Sequence, residues 1–254
     1  ENLKIGNKII STSNPTFTIA EIGNNHNGDM KLAKKLIDQS INAGADCVKF
    51  QMRNMNDLYK NYDTLDKSKE DLGSQYVLGL LEKYQLDESS ILKLMDYARK
   101  KNIIPLCTPF DQKSLKTLIN YNVEAIKIAS ADLTNHELLI NAAQSNIPII
   151  CSTGMSSEDE IISSVKLLKS EGASYAMLHC NSTYPAPFKD INLQYLKRLS
   201  EISSTIVGYS GHERGISIPI AAVALGARIV EKHFTLNKKM EGNDHKVSIL
   251  PDEF

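Results

Sequence analysis

From Phe17 onward the chain alternates between short apolar runs and longer segments whose apolar residues recur every three or four positions. The short runs are Phe17–Ile22, Cys47–Phe50, Ile103–Thr108, Ala125–Ala129, Ile147–Cys151, Tyr175–Cys180, Ile206–Tyr209 and Ile229–Phe234. Short runs with little polar alternation predict strands buried on both faces. The first long segment, 30–43, sets Leu32, Leu36, Ile37 and Ile41 on one helical face and stops at Gly44. Another, 88–101, does the same with Ile91, Leu94, Met95 and Ala98. Further helices are predicted over 113–120, 136–144, 158–169, 193–199 and 216–225, the last despite Pro219 near its start.

Eight strands alternating with helices at near-regular spacing predict an α/β chain folded as one (β/α)8 TIM barrel over residues 1–254. A doubly wound open sheet is the alternative. It sets its ligand on a Gly-rich turn after the first strand, and no GxGxxG follows Phe17–Ile22. Ahead of the barrel, LKIGNKII (residues 3–10) places two apolar stretches around Gly6 and Asn7, an N-terminal β-hairpin suited to plugging one end of the sheet. Residues 52–86 form a long polar insertion with several tyrosines, a length that marks a functional or mobile loop. No apolar helical period follows Phe234. The eighth helix is therefore expected to be missing, and the chain to be part of a longer polypeptide.

Composition narrows the function classes. The chain of 254 residues is long enough for a sizeable core, and no Pro/Gly/Ser-rich linker divides it. Net charge is −1 with both signs interspersed, so the basic stripe of a nucleic-acid binder is absent. No apolar run approaches the ~20 residues needed to span a membrane. Cys47, Cys107, Cys151 and Cys180 lack metal-type spacing and sit in apolar contexts. They read as buried thiols of a reducing compartment, and a cytoplasmic location is expected. The N-terminus has no signal-peptide apolar core and no initiator Met, as expected of a chain trimmed by a few residues.

In a barrel, the loops after all eight strands build one site, so the residues ending each strand carry its chemistry. They are Glu21 with the string Asn24–Asp29, then Lys49 and Gln51, Thr108, Lys127 with Ser130 and Asp132, Ser152-Thr153-Gly154, His179 with Asn181, Ser182 and Tyr184, and finally Ser210-Gly211-His212 and Glu231-Lys232-His233. Two lysines among hydroxyls predict an anion site, since an ammonium is a point-charge partner for phosphate and Ser/Thr add donors. A lone inward lysine would as readily be a snorkelling stem, and a Schiff-base lysine is the competing use. Ser152-Thr153-Gly154-Met155 sets two hydroxyls before a helix-start turn, a phosphate-friendly place, although such residues usually only cap. Asp132 reads equally as a cap for the helix from His136 or as a general base. A buried unpaired Glu21 would be costly, which favours a role in the site. The Asn24–Asp29 string also has the composition of a plain turn. Taken singly, His212 and His233 would each be a satisfied buried polar group. At matching ends of neighbouring parallel strands they predict two imidazole donors to a divalent metal, with open positions left for substrate.

Seven motifs, in order and at matching spacing from about Phe17 to the last residue, resemble the sialic acid synthase family, which makes N-acetylneuraminate and related nonulosonates. They are AEIGNNHNGD (Ala20–Asp29), VKFQ (Val48–Gln51), KIAS-x-D (Lys127–Asp132), STGM (Ser152–Met155), YP-x-P (Tyr184–Pro187), GYSGHE-x-G (Gly208–Gly215) and EKHFTL (Glu231–Leu236). The resemblance implies a barrel that condenses phosphoenolpyruvate with an open-chain N-acetylated amino sugar, either N-acetylmannosamine or a diacetamido-hexose. The products are a nine-carbon 2-keto acid and phosphate. It implies that His212 and His233 ligate a divalent metal, Mn2+ foremost, with Mg2+ or Co2+ as alternatives. It places Lys49, Thr108, Lys127, Ser130, Ser152, Ser182 and Ser210 around phosphoenolpyruvate. It makes Asp132 the base that handles water, and sets Glu21, Gln51, Tyr184 and Asp244 near the sugar or metal. The family also carries a C-terminal antifreeze-like domain that reaches across a homodimer; that domain is absent from this sequence. Two rivals stand beside this reading: a phosphoenolpyruvate–aldose condensing synthase of the same fold, and a non-catalytic sugar-binding barrel.

Overall fold

A computed structural model describes residues 2–59 and 78–254. Residues 60–77, the middle of the expected 52–86 insertion, lie outside the described residues. The chain opens with strands β1 (Asn2–Ile5) and β2 (Lys8–Ser11), paired antiparallel as the expected hairpin. Leu3, Ile5 and Ile10 are buried in the main core, and Lys8 reaches Asp46, one residue ahead of the second barrel strand. The hairpin therefore covers the bottom of the barrel, opposite the functional loops.

Eight parallel strands then close on themselves: β3 (Phe17–Gly23), β4 (Cys47–Met52), β5 (Ile104–Pro109), β6 (Ile126–Ile128), β7 (Ile149–Ser152), β8 (Tyr175–Cys180), β9 (Ile206–Gly211) and β10 (Ile229–His233), with β10 pairing both β9 and β3. Every residue of β6, β7, β8 and β9 is buried, because a barrel strand faces packed side chains inside and helices outside. The helices between barrel strands are α1 (Met30–Asn42), α2 (Met55–Leu58), α3 (Leu78–Tyr84), α4 (Glu88–Lys100), α5 (Gln112–Asn120), α6 (His136–Gln144), α7 (Glu158–Ser170), α8 (Tyr195–Ser203) and α9 (Ser217–Ala224). Several start on side chains that accept from otherwise unpaired first-turn amides: Asp29, Asp87, Asp111, Asn135, and Ser157 in a capping box with Glu160. Pro219 falls in the first turn of α9, where the missing N–H costs no intrahelical bond.

Two local expectations are revised. The 52–86 insertion is not wholly loop: α2 and α3 lie in it, and Met55, Leu78 and Leu81 pack into a small separate cluster with Tyr59. The helix expected over 193–199 runs from Tyr195 to Ser203, ending where Ser204 turns left-handed. The STGM stretch precedes α7, which begins at Glu158 as expected, behind its own cap, Ser157. Among the described residues, no helix follows β10. Residues after Phe234 return across the barrel top instead, through a parallel bridge from Phe234 to Ile249 and burial of Val247 and Ile249. Among the described residues, no helix is long and apolar enough to cross a membrane.

Candidate active site

The C-terminal strand ends open into a cavity of about 520 Å³. Of the residues singled out above, Glu21, Lys49, Gln51, Thr108, Lys127, Ser130, Asp132, Ser152, Ser182, Tyr184, Ser210, His212 and His233 all line it. Asp244 does not. It stands behind His233, with Oδ2 3.8 Å from the imidazole Nδ1.

The floor is a buried charge cluster. Lys49 Nζ pairs with Glu21 Oε2 at 2.7 Å and Glu231 Oε1 at 3.3 Å, and donates to Thr108 Oγ1 at 2.9 Å. Lys127 Nζ donates to Ser152 Oγ at 2.8 Å and to the Ile128 carbonyl at 3.1 Å. Burial opposes both ammonium groups. At Lys49 the carboxylates of Glu21 and Glu231 outweigh it and hold the pKa above the ordinary lysine value. At Lys127 burial wins and the pKa falls, although Glu231 pulls the other way. The carboxylates split in the opposite sense. Burial raises Glu21, against the pull of Lys49, whereas Lys127 and Lys49 together overcome burial and keep Glu231 below its usual value. The floor thus gathers two lysines and two carboxylates, with a hydroxyl hydrogen-bonded to each ammonium.

Above the floor, a chain of contacts runs towards the mouth. Gln51 Nε2 donates to Glu21 Oε1 at 2.9 Å, and Arg53 Nη2 donates to Gln51 Oε1 at 2.7 Å while its guanidinium stacks 3.8 Å from the Phe110 ring centroid. Leu58, Tyr59 and Leu81 from the insertion complete the upper wall. Asp132 sits in a 3₁₀ turn, Ser130–Asp132, with its pKa raised by burial. It is not the cap of α6: that role belongs to Asn135, whose Oδ1 accepts from Leu138 N. The STGM hydroxyls also divide. Ser152 meets Lys127, while Thr153 Oγ1 is spent on the Leu178 carbonyl at 3.0 Å. Gly154 is required by packing, because a Cβ there would lie 2.5 Å from Ser182 Oγ and 2.9 Å from the Cys180 carbonyl oxygen. Gly154→Ala is expected to destabilise the fold by about 1–3 kcal/mol, the usual cost of overpacking, readable by denaturant titration.

The two histidines meet as their strand positions imply, with ring centroids 5.5 Å apart. His212 Nδ1 lies 2.6 Å from the Asn181 carbonyl, to which it donates, and Nε2 lies 2.7 Å from the Tyr184 hydroxyl. His233 has its pKa lowered to about 4, mainly by burial, so the ring is neutral near pH 7. Its Nδ1 and the Oε2 of Glu231 are buried without hydrogen-bond partners. An orphaned imidazole nitrogen beside a second imidazole fixed through its far nitrogen is the donor set a divalent cation would use. Among the described residues, no group of three His, Cys, Asp or Glu side chains is placed to hold a metal.

Two charged cavity residues have no role assigned from the sequence: Glu231 and Arg53. Both carried a signal. Glu231 is two residues before His233, and Arg53 two after Gln51, so each falls on the same strand face as a residue already assigned. His179 ends a strand but serves structure, with Nε2 2.6 Å from the Ile191 carbonyl.

Lysines and a histidine pair thus meet at the C-terminal mouth of a closed eight-stranded barrel, and residues 36–254 of that barrel match the NeuB family. The chain belongs to that family. It is 42% identical over 243 residues to the N,N'-diacetyllegionaminic acid synthase of Campylobacter jejuni, covering 94% of this chain and 73% of that protein. It is 39% identical to the N-acetylneuraminate-9-phosphate synthase of Drosophila melanogaster, covering 93% of this chain and 64% of that one. Among solved structures, the N-acetylneuraminic acid synthetase of Leptospira borgpetersenii superposes with a TM-score of 0.90 at 36% identity, covering all of this chain and 85% of that one.

Proposed function

We propose that the chain condenses phosphoenolpyruvate with an open-chain N-acetylated amino sugar to give a nine-carbon, sialic-acid-type 2-keto acid and phosphate. The observation that carries this is the floor: two buried ammonium groups, each hydrogen-bonded to a hydroxyl, at one end of a single large cavity. Phosphoenolpyruvate presents two anionic groups, a phosphate and a carboxylate, to the two lysines, and the names of the relatives supply the acceptor class.

Each step follows from residues on the cavity wall. Lys49 and Lys127 offset the charge of the phosphate and carboxylate, with Thr108, Ser130, Ser152, Ser182 and Ser210 as further donors. Gln51, Glu21 and Tyr184 border the space above, where the acceptor aldehyde comes to the enol carbon. The new bond joins C3 of phosphoenolpyruvate to the aldehyde carbon, whose oxygen gains a proton. Water then adds at C2 and gives one proton to Asp132. The C2–O bond to phosphate breaks, its electron pair leaving with phosphate, as the new C2 hydroxyl loses its second proton and becomes the ketone. Water's two protons thus balance the one gained by the aldehyde oxygen and the one carried off on phosphate. A divalent cation, Mn2+ foremost, held by His212 and His233 would supply Lewis-acid polarisation of the aldehyde. Neither lysine forms a Schiff base, because each is already engaged as a hydrogen-bonded cation or donor. Borohydride in the presence of substrates should trap no lysine adduct.

Asp132→Asn keeps the shape and removes the basicity. Turnover is expected to fall by roughly 10²–10⁴, the usual worth of a positioned base, while calorimetric affinity for phosphoenolpyruvate stays as in the parent. Near-parent turnover would leave Asp132 without a catalytic role.

A further inference from the structure

The motifs GYSGHE-x-G and EKHFTL contain residues the chemistry above does not use: Tyr209, Gly211, Glu213 and Lys232. On β9 and β10, successive side chains point to opposite faces. Ser210, His212, Glu231 and His233 line the cavity, so Lys232, opposite Gly211 in the β9–β10 register, lies on the other face of the same wall. There it meets Glu213. Lys232 Nζ donates to the Glu213 carbonyl and lies 3.2 Å from Glu213 Oε1, while Glu213 Oε2 accepts from the Tyr209 hydroxyl at 2.6 Å. Glu213 and Lys232 are both buried. The carboxylate fits because residue 211 has no side chain: a Cβ there would lie 2.7 Å from both Glu213 carboxylate oxygens and 2.8 Å from Tyr209 Cε1.

We infer that the buried Glu213–Lys232 pair, backed by Tyr209, is a positioning device that sets the spacing of His212 and His233 and so tunes their affinity for a divalent cation. The inference rests on the proposed role of those histidines. Each histidine is the covalent neighbour of one member of the pair, His212 of Glu213 and His233 of Lys232. The pair therefore ties the loop after β9 to the end of β10 from outside, while the imidazoles face inward. Beyond the end of β9 the His212 carbonyl accepts from Ala186 N, and the pair adds a second tie one residue further on. The His212 ring is anchored on the inside by the Asn181 carbonyl, and the carbonyl of the next residue, Glu213, is held on the outside by Lys232. A group that orients a ligand without touching the ion is typically worth 10–100-fold in metal affinity.

The test is Mn2+ binding to the apoprotein, followed by electron paramagnetic resonance of free Mn2+, with phosphoenolpyruvate binding measured separately by calorimetry in the absence of metal. Glu213→Gln/Lys232→Met removes both charges together, so no unpaired ion is left buried and the barrel keeps its fold. Tyr209→Phe leaves the pair intact and removes one hydrogen bond. The double variant is expected to bind Mn2+ 10–100-fold more weakly. Tyr209→Phe should weaken binding roughly threefold to tenfold, and phosphoenolpyruvate affinity should be unchanged in both. His233→Ala is measured in parallel. Parent-like Mn2+ affinity in His233→Ala overturns the assignment of the donors, and this proposal with it. Affinity lost in His233→Ala but parent-like in both other variants overturns the proposal alone.

Discussion

Lys49→Met should lose both substrate and stability. Lys49 is the shared cation of two buried carboxylates, Glu21 at 2.7 Å and Glu231 at 3.3 Å. Removing it leaves Glu21 and Glu231 buried side by side without their shared cation, with only Lys127 still acting on Glu231. Breaking a buried pair in this way costs about 3–5 kcal/mol. The deficit has a defined pH dependence. Without Lys49 the carboxylates titrate higher in the folded state than in the unfolded chain, as burial already makes Glu21 do in the parent. The folded state then binds more protons, so stability relative to the parent falls as pH rises through the acid range and recovers as pH falls. Affinity for phosphoenolpyruvate should drop by roughly 10²–10³, the worth of a fully desolvated charged contact. Denaturant titrations at two pH values and calorimetry with phosphoenolpyruvate check both parts. A variant as stable as the parent at neutral pH would mean that the floor is not charged as described.

His233→Ala should separate turnover from folding. The imidazole Nδ1 has no hydrogen-bond partner, so removing the ring costs the fold its packing and the 3.8 Å contact with Asp244 but no hydrogen bond at that nitrogen. The proposed cation loses one of two protein donors. Turnover should fall by roughly 10²–10⁴, matching the several kcal/mol a Lewis acid supplies at a carbonyl, and the residual rate should no longer respond to chelator or added Mn2+. The parent, by contrast, should lose activity to a chelator and regain it with Mn2+. Circular dichroism should report an intact barrel in the variant. Metal titration unchanged in His233→Ala would dissociate the histidine pair from cation binding.

Much of this was legible in the sequence for identifiable reasons. The barrel showed because strands such as Tyr175–Cys180 are buried on both faces and so read as unbroken apolar runs. Lys49 and Gln51 showed because polar residues in such runs must face the cavity, and the two histidines because β9 and β10 are neighbours in register. Where the reading stopped, the cause was tertiary. Asp132 could not be told from a helix cap until Asn135 was seen to cap α6. Thr153 matched Ser152 in type, but the carbonyl of Leu178 takes its hydroxyl. Asp244 lies in a segment with no period at all; only the return of the chain over the barrel top brings it behind His233. Glu231 was visible as a charge but not as the second partner of Lys49, because no spacing along the chain encodes a contact between β4 and β10, which are not adjacent in the sheet. The roof residues Leu58, Tyr59 and Leu81 were hidden for a different reason. Their segment is polar on average, and only the two short helices in it gather the apolar side chains on one side.

The central claim is a condensation that requires both phosphoenolpyruvate and an N-acetylated amino sugar. The most direct measurement is phosphate release from phosphoenolpyruvate with Mn2+ present, across N-acetylmannosamine, a diacetamido-hexose and a phosphorylated aldose lacking any N-acetyl group, with product mass read alongside. The account predicts phosphate release in step with acceptor consumption for an N-acetylated sugar, a product of the mass of a nine-carbon 2-keto acid, and no release with the aldose. Release with the phosphorylated aldose, or binding of phosphoenolpyruvate with no phosphate released to any acceptor, would contradict it.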